Sequence, residues 1–399
     1  MVNVKSIFLS NIDQVLNFHV QTVHFFPANV DFPPEIVAAR LKNALEKVMV
    51  PYDFLAGKLT LNHQTGRLEI ECNSSSGAAA EFSLDEIGDL VYLNPAFMQL
   101  IVHALEKFED QPLCVFQVCT KVTSFKCGGF ALGISTNHVL FDGMSFKIFL
   151  ENLASQAFDD DYKPLSIPPC NDRRLLAARS PPQVTFPHPE LLKLNPPVGE
   201  ENAPPDLDFK IFNLSQDEIG RLKEEAKAAT KATGFNVVTA HIWRCKTLSC
   251  GGSRDRVSTV LYAVVIRGRL EPPLPASYCG NAVLSAYTSA KCSALEEEPF
   301  SRVVDMVYEG AERMNDEYAR SAVDWGEIYK GFPNGEFLIS SWWRLIRPRY
   351  SCPVVYHRKD IVLIFPEIGG AGSNGVNILV ALPANEMDKF ESLFRKYLP

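Results

Sequence analysis

Residues 135–145 read Ser-Thr-Asn-His-Val-Leu-Phe-Asp-Gly-Met-Ser, and the prediction of the fold starts from this stretch. Before it, residues 130–137 alternate between bulky and small side chains, which is typical of a β-strand with two unlike faces. After it, apolar residues recur at helical spacing, namely Phe146, Phe149, Leu150 and Leu153. We therefore expect a strand that ends at His138, a turn at Asp142-Gly143 and then a helix.

His138 is the candidate general base of this stretch. An imidazole has an unperturbed pKa of about 6.5, so it can accept a proton near neutral pH. A histidine and an aspartate four residues apart also occur together by chance, and the pair then has no catalytic meaning. Among the eight histidines, however, no other has an aspartate four residues after it. His357 precedes Asp360 by three residues, in a basic, tyrosine-rich run that we interpret as surface.

The composition is that of a globular protein with more than one domain. The chain has 399 residues, of which 46% are hydrophobic and 22% are charged. That length favours two domains of about 200 residues each. The net charge of −8 and the isoelectric point near 5.6 argue against a nucleic acid or an anionic membrane as a partner.

The ten cysteines and the apolar runs bear on the compartment. No two cysteines form a CxxC motif, so we interpret them as small core residues in a reducing compartment rather than as disulfides or metal ligands. The first residues lack the features of a signal peptide, and no apolar run approaches the ~20 residues of a membrane span. We expect a cytoplasmic monomer that binds no metal.

Strand-like and helix-like runs alternate in both halves of the chain, which favours two α/β domains of similar build. Residues 164–205 are rich in proline, which excludes long helices and central strands there. We expect an N-terminal domain over 1–175, a crossover linker over 176–207 and a C-terminal domain over 208–399. The other predicted elements are one or two strands over 5–26, a helix after Pro34, a hairpin over 58–70, strands at 208–213, 259–266, 361–365 and 376–382, and helices after Ser215, over 235–248 and near the C-terminus.

Four motifs occur in a fixed order along the chain. Residues 136–143 read Thr-Asn-His-x-x-x-Asp-Gly and follow Phe-Lys-Cys-Gly-Gly at 125–129. The others are LAGKL at 55–59, RGRLEPPLP at 267–275 with YCGN at 278–281, and SSW at 340–342. Together they resemble the signatures of the plant BAHD acyl-CoA-dependent acyltransferases. The resemblance implies an α/β fold with two similar domains like those of chloramphenicol acetyltransferase, mixed sheets and an interdomain channel.

The resemblance also implies a reaction. His138 would act as the general base while an acyl group moves from CoA to a hydroxyl, or an amine, of a plant specialised metabolite or lipid alcohol. The acyl group would be hydroxycinnamoyl or another apolar or aromatic group. Acyl-CoA is then a co-substrate, and neither a permanently bound cofactor nor a covalent acyl-enzyme is needed.

The resemblance implies roles for residues around His138. Asp142 and Gly143 would have structural roles, and Asp142 would pair with Arg267 across the domains. A buried pair of this kind serves register more than stability. The alternative for Arg267 is a surface arginine beside a proline turn.

Three further residues match positions that line the substrate pockets of the family. Ser340 and Trp342 would line the acyl pocket, where hydroxyl and indole N–H groups stabilise a developing oxyanion. Their alternative is core packing. Asn281 would support the channel wall.

The chain departs from the family after Trp342. A DFGWG motif is expected shortly beyond it, yet residues 343–351 contain no aspartate and no glycine. Asp324-Trp325-Gly326 is no substitute, because it precedes Ser340. We interpret the motif's loop as missing, either in a divergent paralogue or through the gene model. The alternative function is therefore a non-catalytic or weakly active relative that acts as a binding or accessory partner in acyl-lipid metabolism.

Two weaker signals favour no other chemistry. The glycine-rich run at 369–375 lacks the Gly-Lys-Ser/Thr ending of a phosphate-binding loop, so a hairpin loop is the better interpretation. No serine stands in a G-x-S-x-G motif, so hydrolysis by a serine nucleophile has no support.

Overall fold

The fold is taken from a computed structural model, which describes residues 5–72, 114–119, 129–158, 164–193, 207–343, 351–354, 358–367 and 374–399. Some of the sequence-based interpretations concern residues outside these ranges. They are most of the Phe-Lys-Cys-Gly-Gly motif, residues 194–206 of the proline-rich segment, the junction at 344–350 where a loop is predicted to be missing, His357, and residues 368–373 of the glycine-rich run.

The strands are short to medium in length and are numbered in chain order. They are β1 (Lys5–Phe8), β2 (His19–Phe26), β3 (Lys58–Asn62), β4 (Arg67–Cys72), β5 (Cys114–Cys119), β6 (Phe130–Asn137), β7 (Leu191–Leu192), β8 (Asp208–Leu214), β9 (Val257–Val265), β10 (Val283–Lys291), β11 (Phe332–Pro333), β12 (Phe337–Ser341), β13 (Ser351–Val354), β14 (Ile361–Pro366) and β15 (Val376–Leu382).

The α-helices lie between these strands. They are α1 (Asn11–Gln14), α2 (Pro34–Val48), α3 (Gly143–Phe158), α4 (Gln216–Glu225), α5 (Gly234–Ser249), α6 (Cys292–Glu297), α7 (Phe300–Glu312), α8 (Asp316–Tyr329) and α9 (Ala384–Lys396). Two single turns of 3₁₀-helix cover Asp53–Ala56 and Arg173–Leu176. The predicted mixed α/β class is confirmed.

The chain forms two compact units, and neither is continuous in sequence. Unit 1 comprises Met1–Ala178, Leu274–Ala282 and Leu345–Val355. Unit 2 comprises Arg179–Pro273, Val283–Arg344 and Tyr356–Pro399. The domain boundaries expected from the sequence stay a prediction.

Unit 1 contains a four-stranded antiparallel sheet in the order β13-β2-β6-β5 and a three-stranded sheet in the order β1-β4-β3. Strand β6 has neighbours on both sides, and all eight of its residues are buried. The predicted strand before His138 and the predicted helix after it are both present, as β6 and α3. Helix α3 packs against α2.

Unit 2 is built on a six-stranded mixed sheet in the order β10-β9-β12-β14-β15-β8. Strand β12 runs parallel to both β9 and β14, and the other neighbours are antiparallel. Helices α5, α7 and α9 contribute to the core beside this sheet, in which Trp243, Val304 and Phe390 are buried. The predicted strands and helices of this half are present, with small differences at their ends.

Several elements were not predicted from the sequence, among them strands β10 and β12. Between β1 and β2, where only strands were expected, Ser10 and Asp13 form a capping box that starts the short helix α1. Helices α6, α7 and α8 were not predicted. In α7 the signal was present, because Phe300, Val303, Val304 and Val307 follow the helical i, i+3, i+4, i+7 pattern and are buried.

Helix α8 binds the middle of the proline-rich segment. The buried carboxylate of Asp324 accepts the backbone N–H groups of Arg179 and Gln183, both at 2.8 Å. It also forms an ion pair of 2.6 Å with the Arg179 guanidinium. Residues 324–326, whose sequence imitates part of the missing motif, are therefore a helical segment with a structural task.

The capping box predicted at Ser215 is present at the start of helix α4, and its contribution to stability can be tested. The Ser215 hydroxyl accepts the N–H of Glu218 at 3.2 Å, and the Glu218 carboxylate accepts the N–H of Ser215 at 2.7 Å. Replacing Ser215 with alanine removes the first acceptor, so we expect the free energy of unfolding of unit 2 to fall by about 1 kcal/mol. Urea denaturation checks this. Ser215→Thr keeps a hydroxyl and should lose less; an equal loss in both variants would contradict the capping role.

Candidate active site

His138 is the first residue beyond β6, and its position is set by backbone hydrogen bonds. Its N–H donates to the carbonyl of Phe18 at 2.8 Å, which extends the pairing of β2 with β6 by one residue. The side chain of Asn137 then accepts the N–H of Val139 at 3.1 Å and closes the turn. The His138 ring is half-buried and lies 5.2 Å from the ring of the half-exposed Phe18, centroid to centroid.

Burial and charge act in opposite directions on His138. Desolvation is the largest effect and lowers the pKa of the imidazole below 6.5. Its own backbone carbonyl, the Asp142 carboxylate, the Asn281 side chain and the Asp13 carboxylate each favour the protonated ring and offset part of that lowering. The pKa remains lowered, so the ring is neutral at pH 7 and can accept a proton.

The Asp142 carboxylate is engaged at the start of α3 and by the backbone near Asn281. Its Oδ1 atom accepts the N–H of Ser145 at 2.9 Å and the Ser145 hydroxyl at 2.8 Å. Its Oδ2 atom accepts the N–H of Ala282 at 2.9 Å. The N–H of Asp142 in turn donates to the Ser145 hydroxyl at 3.1 Å. Through these contacts Asp142 caps the N-terminus of α3 and is linked to the segment 274–282. Gly143 is the first residue of that helix.

Asn281 is fully buried and contacts the backbone of His138 directly. Its Nδ2 atom donates to the His138 carbonyl at 2.8 Å and to Asp13 Oδ1 at 2.8 Å. Its backbone N–H also donates to Asp13 Oδ1, at 3.2 Å. The structure thus brings His138, Asp142, Gly143 and Asn281 together within unit 1, although Asn281 is far from the others in sequence.

The remaining predicted site residues lie in unit 2. Arg267 is buried and follows β9 by two residues, whereas Ser340 and Trp342 are half-buried at the end of β12. Because β9 and β12 are parallel neighbours, all three lie toward the same end of the sheet. The N–H of Trp342 donates to the carbonyl of Ile364 at 2.6 Å, which continues the pairing of β12 with β14.

Sequence reasoning missed two charged residues of unit 1 that lie against the turn at His138. Asp13 and Arg173 form an ion pair of 3.0 Å between Asp13 Oδ1 and Arg173 Nη1, and both side chains are fully buried. The capping-box pattern at Ser10 and Asp13 was visible in the sequence, but nothing in it pointed to Arg173. Arg173 lies in the proline-rich segment, where an arginine is expected to be on the surface.

No metal site is found in the described ranges, where no group of three or more His, Cys, Asp or Glu side chains is arranged to hold an ion. No helix in the same ranges is long and apolar enough to cross a membrane.

Comparison with known proteins places this arrangement in context. Residues 2–396 match the family model described as "Transferase family". "Acyltransferase GLAUCE" of Arabidopsis thaliana is 56% identical, covering 99% of this chain and 92% of that protein. The Arabidopsis thaliana omega-hydroxypalmitate O-feruloyl transferase is 31% identical, covering 97% of this chain and 88% of that protein. The fatty alcohol:caffeoyl-CoA acyltransferase of the same plant is 31% identical, covering 97% and 93%.

Solved structures show the same fold at low sequence identity. The F. sporotrichioides TRI101 complex with coenzyme A and T-2 superposes with a TM-score of 0.77, at 14% identity and over 97% of both chains. Vinorine synthase superposes with a TM-score of 0.72, at 20% identity, over 98% of this chain and 97% of that one.

The contacts of Asp142 predict what its charge does. Asp142→Asn exchanges one acceptor oxygen for an NH₂ group, which then faces a backbone N–H that it cannot satisfy. We expect the free energy of unfolding to fall by about 1–3 kcal/mol, measured by chemical denaturation, and turnover to fall with it. The control is Asp172→Asn, an exposed aspartate that also accepts one backbone N–H. Wild-type stability with lost turnover would instead place Asp142 in the chemistry.

Proposed function

The chain belongs to the Transferase family, the plant BAHD acyl-CoA-dependent acyltransferases, and on this premise we propose that it transfers a hydroxycinnamoyl group from CoA to the hydroxyl of a long-chain aliphatic alcohol, with His138 as the general base. The observation that carries the proposal is the half-buried His138, whose pKa is lowered and whose backbone is held on both sides of the turn. The substrate class follows the names of two relatives, a feruloyl transferase for omega-hydroxypalmitate and a caffeoyl-CoA transferase for fatty alcohols.

In the proposed reaction His138 moves one proton twice. The Nδ1 atom of its ring is buried in unit 1, so the Nε2 atom is the one that faces the substrate. Nε2 takes the hydroxyl proton as the alcohol oxygen attacks the thioester carbonyl carbon. The tetrahedral intermediate then collapses, the carbon–sulfur bond breaks, and the imidazolium returns the proton to the CoA sulfur. The products are an ester and free CoA, and no covalent acyl-enzyme forms.

The unit 2 residues have proposed roles that support this step. The Ser340 hydroxyl and the Trp342 indole N–H would face the acyl group and donate to the oxyanion as it develops. The structural role of Arg267 expected from the sequence stays a prediction. A donor placed where negative charge develops contributes more to the transition state than to the bound substrate.

CoA enters the proposal as a co-substrate, which the family uses and which the TRI101 structure contains. We propose no permanently bound cofactor, no metal and no nucleic-acid partner. The cytoplasmic location and the monomeric state expected from the sequence stay predictions.

A second candidate function is a binding or accessory role in acyl-lipid metabolism without turnover. The observation that favours it is the run of residues 343–351, in which no DFGWG motif follows Trp342. The motif is regarded as structural in the family, so its loss would affect folding or CoA binding more than proton transfer. Purified protein that binds acyl-CoA but transfers nothing in the assay below would favour this second function.

A panel assay tests the proposal. Feruloyl-CoA, caffeoyl-CoA and an aliphatic acyl-CoA are each combined with a long-chain alcohol, an omega-hydroxy fatty acid, shikimate and an amine, and products are identified by mass spectrometry. We expect hydroxycinnamoyl esters of the aliphatic alcohols as the main products. Replacing His138 with alanine should lower kcat by ~10²–10⁴-fold, because the reaction loses its general base. The exposed His63→Ala is the matched control. Turnover of the His138 variant within a few-fold of wild type would refute the assignment.

The lowered pKa of His138 predicts the pH profile. The base works only when it is neutral, so kcat/KM falls as the pH drops through the pKa of the imidazole. Because desolvation lowers that pKa, the acid limb should have its midpoint below about 6.5, the ordinary value for histidine. Initial rates over a pH series with the best substrate pair measure it. A midpoint above the ordinary value would mean that the carboxylates outweigh burial, contrary to the stated cause.

A further inference from the structure

Three successive backbone carbonyls, those of residues 138, 139 and 140, accept hydrogen bonds from side chains far away in sequence. Asn281 donates to the carbonyl of His138 at 2.8 Å. Arg173 donates to the carbonyl of Val139 through Nη1 and to that of Leu140 through Nη2, the latter at 2.9 Å. The turn that carries the proposed base is therefore held along its main chain.

All three nitrogen atoms of the Arg173 guanidinium have partners in this arrangement. Besides the two carbonyls, Nη1 lies 3.0 Å from Asp13 Oδ1 and Nε donates to Asn171 Oδ1 at 3.0 Å. The face of the group lies 5.9 Å from the ring centroid of Phe54. A planar fork of five donors suits this set of acceptors, whereas a single ammonium cannot reach all of them.

Asp13 joins the two donors. Its Oδ1 atom forms the ion pair with Arg173 and accepts hydrogen bonds from both nitrogen groups of Asn281. Its Oδ2 atom accepts the N–H and the hydroxyl of Ser10, at 2.9 and 2.8 Å, so helix α1 fixes the carboxylate. Asp13 thus orients the two side chains that hold the turn.

We propose that Asp13 and Arg173 are positioning residues for His138. They act through the carbonyls of the turn and fix the main chain from which the imidazole projects. This role rests on the proposed general-base function of His138. It also explains why an ion pair is kept in a fully buried place, where two apolar side chains of similar volume cost less desolvation.

The competing explanation is that the pair only stabilises unit 1. Removing either partner leaves the other charged and buried, which is strongly destabilising whatever the pair does for the turn. Single deletions therefore do not separate the two explanations. Two variants do: Arg173→Lys keeps the charge beside Asp13 but loses the fork, and the double variant Asp13→Asn/Arg173→Met removes both charges at once.

The variants are assayed with the best substrate pair, with kcat normalised to the folded fraction and melting temperatures measured in parallel. We expect Arg173→Lys to fold and to lose on the order of 10²-fold in kcat, as a small misplacement of a catalytic group does. Its KM for acyl-CoA should stay within about threefold of wild type, because the pair touches no substrate in the proposed mechanism. The double variant should melt above Asp13→Asn and Arg173→Met taken singly, yet keep the low kcat.

A matched control comes from unit 2. Arg179 and Asp324 also form an ion pair with a buried carboxylate that accepts two backbone N–H groups, but they hold the proline-rich segment rather than the turn at His138. The double variant Arg179→Met/Asp324→Asn should lower the melting temperature and leave kcat per folded enzyme unchanged. If kcat of the Asp13/Arg173 double variant or of Arg173→Lys equals wild type once both are normalised in this way, the pair is structural only and the proposal is wrong.

An arm without turnover keeps the proposal testable if the wild type transfers no acyl group. Diethyl pyrocarbonate modifies neutral imidazoles, and the modification rate of His138 is followed by mass spectrometry of its peptide. In that case the proposed function fails, while a severalfold change of this rate in Arg173→Lys, absent from the control pair, still supports the positioning role. An unchanged rate in all variants would overturn it.

Discussion

A buried turn must find hydrogen-bond partners for its main chain, and this constraint governs unit 1. Val139 and Leu140 are fully buried between β6 and α3, so their carbonyls have no access to bulk water. An unpaired buried carbonyl costs about 1–3 kcal/mol. The chain meets the requirement with side-chain donors from Arg173 and Asn281 rather than with another strand. These hydrogen bonds fix the turn, which belongs to no helix or strand, and His138 is its first residue.

In the same arrangement, two carboxylates lie near the base and accept hydrogen bonds from other groups. Asp142 accepts hydrogen bonds from Ser145 and from the N–H of Ala282, and Asp13 forms an ion pair with Arg173 and accepts a hydrogen bond from Asn281. Their charges raise the pKa of His138 and so offset part of the lowering that desolvation causes. A carboxylate bonded to the ring would favour the imidazolium more strongly and leave less neutral base at pH 7. The observed division of contacts therefore suits a histidine that must accept a proton.

The discontinuous composition of unit 1 follows from the same contacts. Residues 274–282 belong to it because Asn281, Gly280 and Ala282 bond to Asp13, Ser145 and Asp142. A segment that returns after a long excursion costs loop-closure entropy that grows slowly with length. Several charge-assisted hydrogen bonds made at once offset that cost. The YCGN sequence is the second part of one family motif, and its Asn281 donates a hydrogen bond to the His138 carbonyl.

The sequence by itself determined the strand–turn–helix unit around His138, the α/β class, the capping box at Ser215 and the family, because these depend on local periodicity and on motifs readable in order. The elements α1, β10, β12 and α6 to α8 were not predicted from the sequence, although α7 has a clear helical pattern. Only the tertiary structure decided that Asp142 caps α3 and reaches Ala282, that Asn281 holds the His138 carbonyl, and that Asp13 and Arg173 complete the network. The contacts between segments join residues 33 to 268 positions apart, and many of their partners are backbone atoms, which every residue possesses. A pattern of side chains along the sequence therefore does not predict these contacts.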